Sequence, residues 1–343
     1  MKNVTLGSTG ITVPQNGFGA LPVQRVSTEE AAHLIRKAYD GGMRFFDTAR
    51  AYSDSEEKVG KGLEGIDRSS YYLATKSMAS NTGELEKQMN ESLRLLKTDY
   101  VDIYQFHCVD KVYRPGDGSG MYEFMEKAKA DGKIRHIGIT THKLKVAQEI
   151  IKSGLYETLQ YPMSYLSTPE EIKLIEECKN HNMGFIAMKG LAGGLINQYK
   201  PAMAFMNQFD NVIPIWGIQK EEELDQWLSC FEKTPEMDEE LSSYIEKEKL
   251  DLSGDFCRGC GYCMPCPVGI TINQCARMSL MLRRAPSKSW LNEHWQQEMA
   301  KIEDCLNCRQ CVFKCPYSLN TPGLLTKNLE DYRNVLAGET TVD

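Results

Sequence analysis

The stretch RFFDTARAY, residues Arg44–Tyr52, decides the fold, because an apolar run of strand length ends there on an acidic side chain and a turn. Two later runs have the same form: YYLATK ends on Lys76 and VDIYQFH ends on His107. Short apolar runs that end at polar residues are typical of buried parallel strands, which carry functional groups at their carboxyl ends. The three runs therefore predict strands of one parallel sheet.

The same pattern extends outward over most of the chain, since strand-like runs alternate with amphipathic stretches of about 10–15 residues as far as Lys233. Eight strands are predicted, at Gly17–Leu21, Arg44–Thr48, Tyr72–Lys76, Val101–His107, Ile134–Thr140, Thr158–Tyr161, Phe185–Lys189 and Val212–Trp216. Helices are predicted at Ser27–Asp40, Thr82–Leu96, Thr168–His181 and Glu221–Phe231, with Ser27, Thr82 and Thr168 as N-cap residues.

Eight strands with helices between them favour an α/β fold, a closed (β/α)8 or TIM barrel. A doubly wound sheet is the alternative, but no GxGxxG follows the first strand, so its usual nucleotide motif is missing.

Composition divides the chain. We assign residues 1–234 to the barrel and 235–253 to a charged connecting helix. Residues 254–343 are assigned to a small, mainly helical cysteine-rich domain and tail, because nine of the twelve cysteines lie after Asp255. A domain of this size usually needs metals or disulfides to supplement its core.

Charge and hydropathy exclude several classes of partner. With 47 acidic and 40 basic side chains the net charge is -7, which argues against nucleic acid. No run approaches the about 20 apolar residues of a membrane span, and the start resembles no signal peptide. We therefore expect a cytoplasmic protein with reduced cysteines.

Four polar residues fall where a barrel places its catalytic groups: Asp47, Lys76 and His107 end strands, and Tyr52 follows the second strand. Singly, each could be a cap, a solvated charge or a core group. Together, within FFDTARAY, YYLATK and VDIYQFH, they resemble the Asp, Tyr, Lys and His tetrad of the aldo-keto reductase family. The resemblance begins at LGSTGITV and covers about two thirds of the chain.

The resemblance implies reduction of a carbonyl compound, or oxidation of the alcohol, by a nicotinamide. Tyr52 would be the general acid, since a neighbouring cation such as Lys76 favours the phenolate of a group whose ordinary pKa is about 10. Asp47 would fix Lys76, and His107 would orient the carbonyl. Cys108 is interpreted as a packed thiol.

The resemblance also implies cofactor contacts. Thr140 and Thr141 replace a Ser-Asn pair, Gln160 matches a carboxamide ligand, and Met188 stands where an aromatic ring would stack. Gly190, Gly193 and Gly194, in GLAGG, would approach a pyrophosphate or form a flexible loop; Gly217 and Lys220 follow on the eighth strand. Only Lys220 is cationic there, against three glutamates, so the choice between NADP and NAD stays open.

Two cysteine runs predict the metal ligands. The second run has the C-x2-C-x2-C-x3-C-P spacing of bacterial ferredoxins, and the first is one residue shorter before its last cysteine. We therefore predict two 4Fe-4S clusters, with structural zinc as the alternative. The ligands are Cys257, Cys260, Cys263, Cys266, Cys305, Cys308, Cys311 and Cys315. Folding as in two-cluster ferredoxins would place Cys315 with the first run's cluster and Cys266 with the second.

The combined prediction is an oxidoreductase that joins hydride transfer to one-electron transfer. Its substrate would be a small carbonyl compound or alcohol, and its electron partner a ferredoxin or flavoprotein; the oligomeric state is left open. In one alternative the barrel binds a flavin or a redox partner and serves as an electron-transfer module. In another the clusters are purely structural in an ordinary reductase.

Overall fold

The computed structural model describes residues 1–252, 256–284 and 287–342. Eight parallel strands close into a barrel in the order β10-β3-β4-β5-β6-β7-β8-β9, which confirms the predicted fold. The strands, preceded by the short antiparallel pair β1–β2, are β1 Asn3–Thr5, β2 Thr12–Pro14, β3 Gly17–Gly19, β4 Phe45–Asp47, β5 Tyr72–Ser77, β6 Val101–Phe106, β7 Ile134–Thr140, β8 Thr158–Pro162, β9 Gly184–Met188 and β10 Val212–Gly217.

Closure occurs between the first and last barrel strands, where Ile215 pairs with Gly17. A side chain at Gly17 would have its Cβ 2.9 Å from the Pro214 carbonyl oxygen, so glycine is required for this close approach. The same pairing excludes an open, doubly wound sheet.

Helices connect the strands and continue through the cysteine-rich part. They are α1 Thr28–Asp40, α2 Ser55–Gly62, α3 Thr82–Leu95, α4 Met121–Ala130, α5 Leu144–Ser153, α6 Pro169–Asn180, α7 Tyr199–Asn207, α8 Glu221–Glu232, α9 Glu239–Asp251, α10 Ile272–Cys275, α11 Met278–Arg284, α12 Glu293–Ala300, α13 Gln310–Lys314 and α14 Thr321–Leu336. No helix of the described ranges combines the length and apolarity needed to cross a membrane.

Three helix starts show how local sequence sets the boundaries. Ser27 and Thr168 are N-caps as predicted, and each forms a reciprocal capping box with the glutamate three residues later. The prediction for Thr82 was wrong by one residue. Asn81 is the cap, because its side chain accepts the hydrogen bond from the Glu84 backbone amide.

The N-terminal hairpin contributes to the apolar core. Val4 and Val13, together with Leu6 and Ile11, pack with inward-facing residues such as Phe45 of the barrel strands. Burying a side chain of this size contributes about 1.5–3 kcal/mol. A filled core of this kind leaves function to the strand ends.

The chain divides into two compact units. The first comprises Met1–Gly190 and Tyr199–Tyr244, and the second comprises Leu191–Gln198 and Ile245–Asp343. The boundary that the sequence suggested, between residues 253 and 254, lies outside the described residues. The second unit is mainly helical and takes in a segment, 191–198, that precedes helix α7 in the chain.

Candidate active site and cysteine cavities

Neighbouring strands bring the four predicted catalytic residues together. Asp47 ends β4 and Lys76 lies near the end of β5, while His107 follows β6. The Lys76 ammonium lies 2.6 Å from Asp47 Oδ1 and 5.0 Å from the centre of the Tyr52 ring. The rings of Tyr52 and His107 meet edge to face, with centres 5.7 Å apart. All four therefore occupy one site.

Lys76 is held as a buried cation. Its side chain is 1% exposed and also donates a 2.7 Å hydrogen bond to the Thr48 carbonyl oxygen. Burial disfavours the charge, but Asp47 and Tyr52 outweigh it and raise the pKa of Lys76 above its ordinary value. Lys76 therefore places a positive charge beside the Tyr52 phenol.

Burial has the opposite effect on the phenol. It raises the pKa of Tyr52, and the attraction of Lys76 reduces this shift without reversing it. From the sequence only the effect of Lys76 was expected, which favours the phenolate. A pKa raised above 10 keeps the Tyr52 hydroxyl protonated at physiological pH, the form that can donate a proton.

His107 is a neutral imidazole. Burial, together with the charges of Lys76 and Lys189, lowers its pKa to about 3. Its Nδ1 atom is buried and has no hydrogen-bond partner among the described residues. A neutral imidazole carries one N–H donor and one acceptor, so His107 can bind an oxygen ligand without adding charge.

Two amide side chains lie beside Asp47 at the inner end of the site. Gln105 Nε2 lies 2.8 Å from Gln160 Oε1 and 3.4 Å from Asp47 Oδ2. Gln160 Nε2 in turn lies 3.4 Å from Asp47 Oδ1. Gln105 was not predicted from the sequence, although it lies on β6 two residues before His107, a spacing that places side chains on one face of an extended chain.

A second buried network was also missed. Glu56, at the start of α2, is fully buried, pairs with Arg50 and accepts a 2.6 Å hydrogen bond from the Thr75 hydroxyl. The Arg50 backbone amide donates to the Lys76 carbonyl oxygen at 3.0 Å. This network ties the loop that carries Tyr52 to the strand that carries Lys76.

The predicted carboxamide ligands already have protein partners. The Thr140 hydroxyl accepts from the Cys108 amide at 2.7 Å, and the Thr141 hydroxyl donates to the Val109 carbonyl oxygen at 2.9 Å. Thr140 and Gln160 each retain hydrogen-bonding capacity, since a hydroxyl and an amide have further donors and lone pairs. These two residues can therefore still hold a carboxamide.

The other residues predicted to contact the cofactor lie in different environments. Met188 is buried in the apolar core, and Gly190 packs under Trp216, where a Cβ would lie 2.4 Å from the indole. Gly217 and Lys220 are exposed at the end of β10 and the start of α8.

Gly193 and Gly194 belong to the segment that packs in the second unit. The Gly193 carbonyl oxygen accepts a 2.5 Å hydrogen bond from Arg277, and a Cβ on Gly193 would lie 2.7 Å from the Arg258 carbonyl oxygen. Close packing thus accounts for glycine at position 193 without a pyrophosphate.

The eight predicted metal ligands line two cavities of the second unit. One is lined by Cys257, Cys260, Cys263 and Cys315. The other is lined by Cys266, Cys305, Cys308 and Cys311, and Cys263 lines both. Each cavity therefore draws thiols from both runs.

The chemistry of these thiols suits a cationic cluster. Burial, reinforced by repulsion from Cys257, Cys260 and Cys315, raises the pKa of Cys263 to about 12. A thiol of this kind becomes a thiolate when a bound metal centre compensates its charge. The donor set fits iron–sulfur clusters.

Both parts of the chain match families of known proteins. The profile of the aldo/keto reductase family matches residues 15–253, and that of a 4Fe-4S dicluster domain matches residues 256–320. L-galactose dehydrogenase of Arabidopsis thaliana is 32% identical over 216 residues, which cover 57% of this chain and 67% of that protein. The chain spans about two thirds of the length of the curated relatives it matches.

Solved structures share the barrel fold. The holo form of an aldo-keto reductase from Bacillus halodurans superposes with a TM-score of 0.61 at 23% identity, covering 72% of this chain and 96% of that one. An aldo-keto reductase from Klebsiella pneumoniae in complex with NADPH gives 0.59 at 22% identity, covering 72% and 94%. The chain thus belongs to the aldo-keto reductase family and carries a C-terminal 4Fe-4S dicluster domain.

Proposed function

We propose that the barrel interconverts a small carbonyl compound and its alcohol, with Tyr52 as the proton donor and acceptor. The observation that carries the proposal is the convergence of Tyr52, Lys76 and His107, with Lys76 fixed 2.6 Å from a buried Asp47.

The electrostatics of the site support Tyr52 as a protonated general acid. Burial keeps the proton on Tyr52 until negative charge develops on a carbonyl oxygen. Lys76 then favours the phenolate that remains, and neutral His107 donates a hydrogen bond to the same oxygen. NADPH or NADH would supply the hydride, and Thr140 and Gln160 would hold its carboxamide.

We further propose that the second unit holds two 4Fe-4S clusters with crossed ligation. Cys257, Cys260 and Cys263 would share one cluster with Cys315; Cys305, Cys308, Cys311 and Cys266 would bind the other. The grouping of the thiols around two cavities supports this assignment. The clusters would exchange single electrons with a partner.

The test is a Tyr52→Phe variant of anaerobically purified protein, assayed with NADPH and NADH against a panel of aldehydes and ketones. Tyr122→Phe is the control, since it also loses a buried hydroxyl, whose 2.8 Å bond goes to the Leu155 carbonyl oxygen. We expect Tyr52→Phe to lose turnover with iron content unchanged and Tyr122→Phe to keep it. Full turnover without the Tyr52 hydroxyl would reject the proposal.

One observation favours a second candidate, an electron-transfer module whose barrel binds a flavin or a redox protein. The Thr141 hydroxyl and both ends of the Gln160 amide are already bonded within the protein. Cofactor extraction separates the two candidates: released flavin would favour the module, whereas a bound nicotinamide would favour the reductase.

A further inference from the structure

The cysteines of the two cavities differ in exposure. Those of the first cavity are buried or partly buried, whereas the second has two exposed cysteines, Cys305 and Cys308, together with buried Cys311. Every residue from Glu303 to Gln310 is exposed. A cluster at the second cavity would therefore lie close to the surface, where a partner can reach it.

The same stretch presents apolar side chains to solvent. Phe313 is 84% exposed, the largest value for a large apolar residue among those described, and Leu306 is 68% exposed. Arg309 lies one helical turn before Phe313, whose amide donates to its carbonyl oxygen at 3.3 Å. Exposed apolar side chains grouped at one redox centre are typical of an interaction site.

The charges around this face indicate the kind of partner. Arg309 and Lys314 are exposed and form no ion pair within the described part of the chain. Glu303 forms an ion pair with Arg333 at 2.7 Å, and Asp304 is the other carboxylate of the exposed stretch from Glu303 to Gln310. A face with surplus positive charge, on a protein of net charge -7, is complementary to an acidic surface.

We infer that Leu306, Arg309, Phe313 and Lys314 form the docking face for a small acidic electron-carrier protein. This inference rests on the proposed clusters. One electron passes from the reduced carrier, which is oxidised by one electron, to the cluster at the second cavity, which is reduced by one. A cluster at the first cavity would then exchange electrons through the second. A small apolar patch with a charged rim suits a transient complex.

The test uses the anaerobic holoprotein and two reductants, a dithionite-reduced acidic ferredoxin and reduced methyl viologen, a small donor that needs no docking face. Stopped-flow absorbance measures cluster reduction by each. The variants are Phe313→Ala and Lys314→Glu. Their controls are Leu250→Ala, at another highly exposed apolar residue, and Lys288→Glu, at another exposed lysine of the same unit.

We expect each variant to slow reduction by ferredoxin about tenfold at low salt, an effect that shrinks at high ionic strength for Lys314→Glu. Reduction by methyl viologen and both controls should stay within twofold of the parent protein. Unchanged ferredoxin rates would overturn the inference, as would equal slowing with both reductants, because that marks a damaged cluster. Self-association abolished by Phe313→Ala, with ferredoxin rates intact, would assign the face to a second copy and also overturn it. Failure of methyl viologen to reduce the parent protein would instead reject the proposed clusters.

Discussion

The ion pair between Asp47 and Lys76 gives a quantitative test of the site. Their side chains are 2% and 1% exposed, and the charged atoms are 2.6 Å apart. An Asp47→Asn substitution keeps the size of the side chain and removes its charge. Removing one partner of a buried pair typically costs about 3–5 kcal/mol. Because Lys76 keeps its bond to the Thr48 carbonyl oxygen, we expect about 3 kcal/mol.

Urea unfolding followed by far-ultraviolet circular dichroism measures this cost, with cluster absorbance recorded alongside to report on the second unit. Asp210→Asn is the matched control, since Asp210 also lies 2.6 Å from a lysine, Lys179, but both side chains are more than half exposed. The control should lose less than about 1 kcal/mol. A double variant, Asp47→Asn with Lys76→Met, should lose less unfolding free energy than the two single variants lose in total. Equal losses in Asp47→Asn and Asp210→Asn would refute the reasoning.

Three further outcomes are expected. At His107 the unfolded chain binds more protons than the folded chain between about pH 3 and pH 6.5, so stability should fall as the pH is lowered through that window. His107→Gln should remove this contribution, about 1 kcal/mol per pH unit averaged over pH 5 to 6.5, in thermal unfolding monitored over that range. Gln105→Leu should lower kcat/KM for the nicotinamide about tenfold in steady-state assays, because Gln160 loses its 2.8 Å hydrogen-bond partner. Unchanged kinetics would mean that Gln105 only packs in the core and does not position Gln160. Cys315→Ala should disrupt the cluster of the first run while barrel turnover persists; spin-resonance spectra showing that cluster intact would contradict crossed ligation.

The barrel could be predicted because each of its strands is marked by the residues of the strand itself. Each strand is a short apolar run, and residues such as Asp47 mark where a run ends. The hairpin β1–β2 was missed, since three-residue strands carry too little alternation to register. Gln105 was missed for another reason: within an apolar strand it was taken as part of the run, although its spacing from His107 placed both on one face.

Long-range partners could not be predicted from sequence. The glycines of GLAGG predicted close backbone approach, but local sequence does not say what approaches. In the structure the neighbours of Gly193 are Arg258 and Arg277, about 65 or more residues later in the chain. Glu56 is a similar case, because its role depends on Thr75, a residue of the next strand.

The segment 191–198 belongs to one unit, while the residues on either side of it in the chain belong to the other. It continues directly from the Met188 end of β9 and leads into α7, yet it belongs to the cysteine-rich unit. Arg277 binds the Gly193 carbonyl oxygen, and Arg284 binds that of Leu195 at 2.8 Å. Arg284 is fixed in turn by Glu248 through two 2.6 Å contacts, both side chains being largely buried. Because cluster binding supplies much of the folding energy of a small domain, loss of the clusters should release this segment as well.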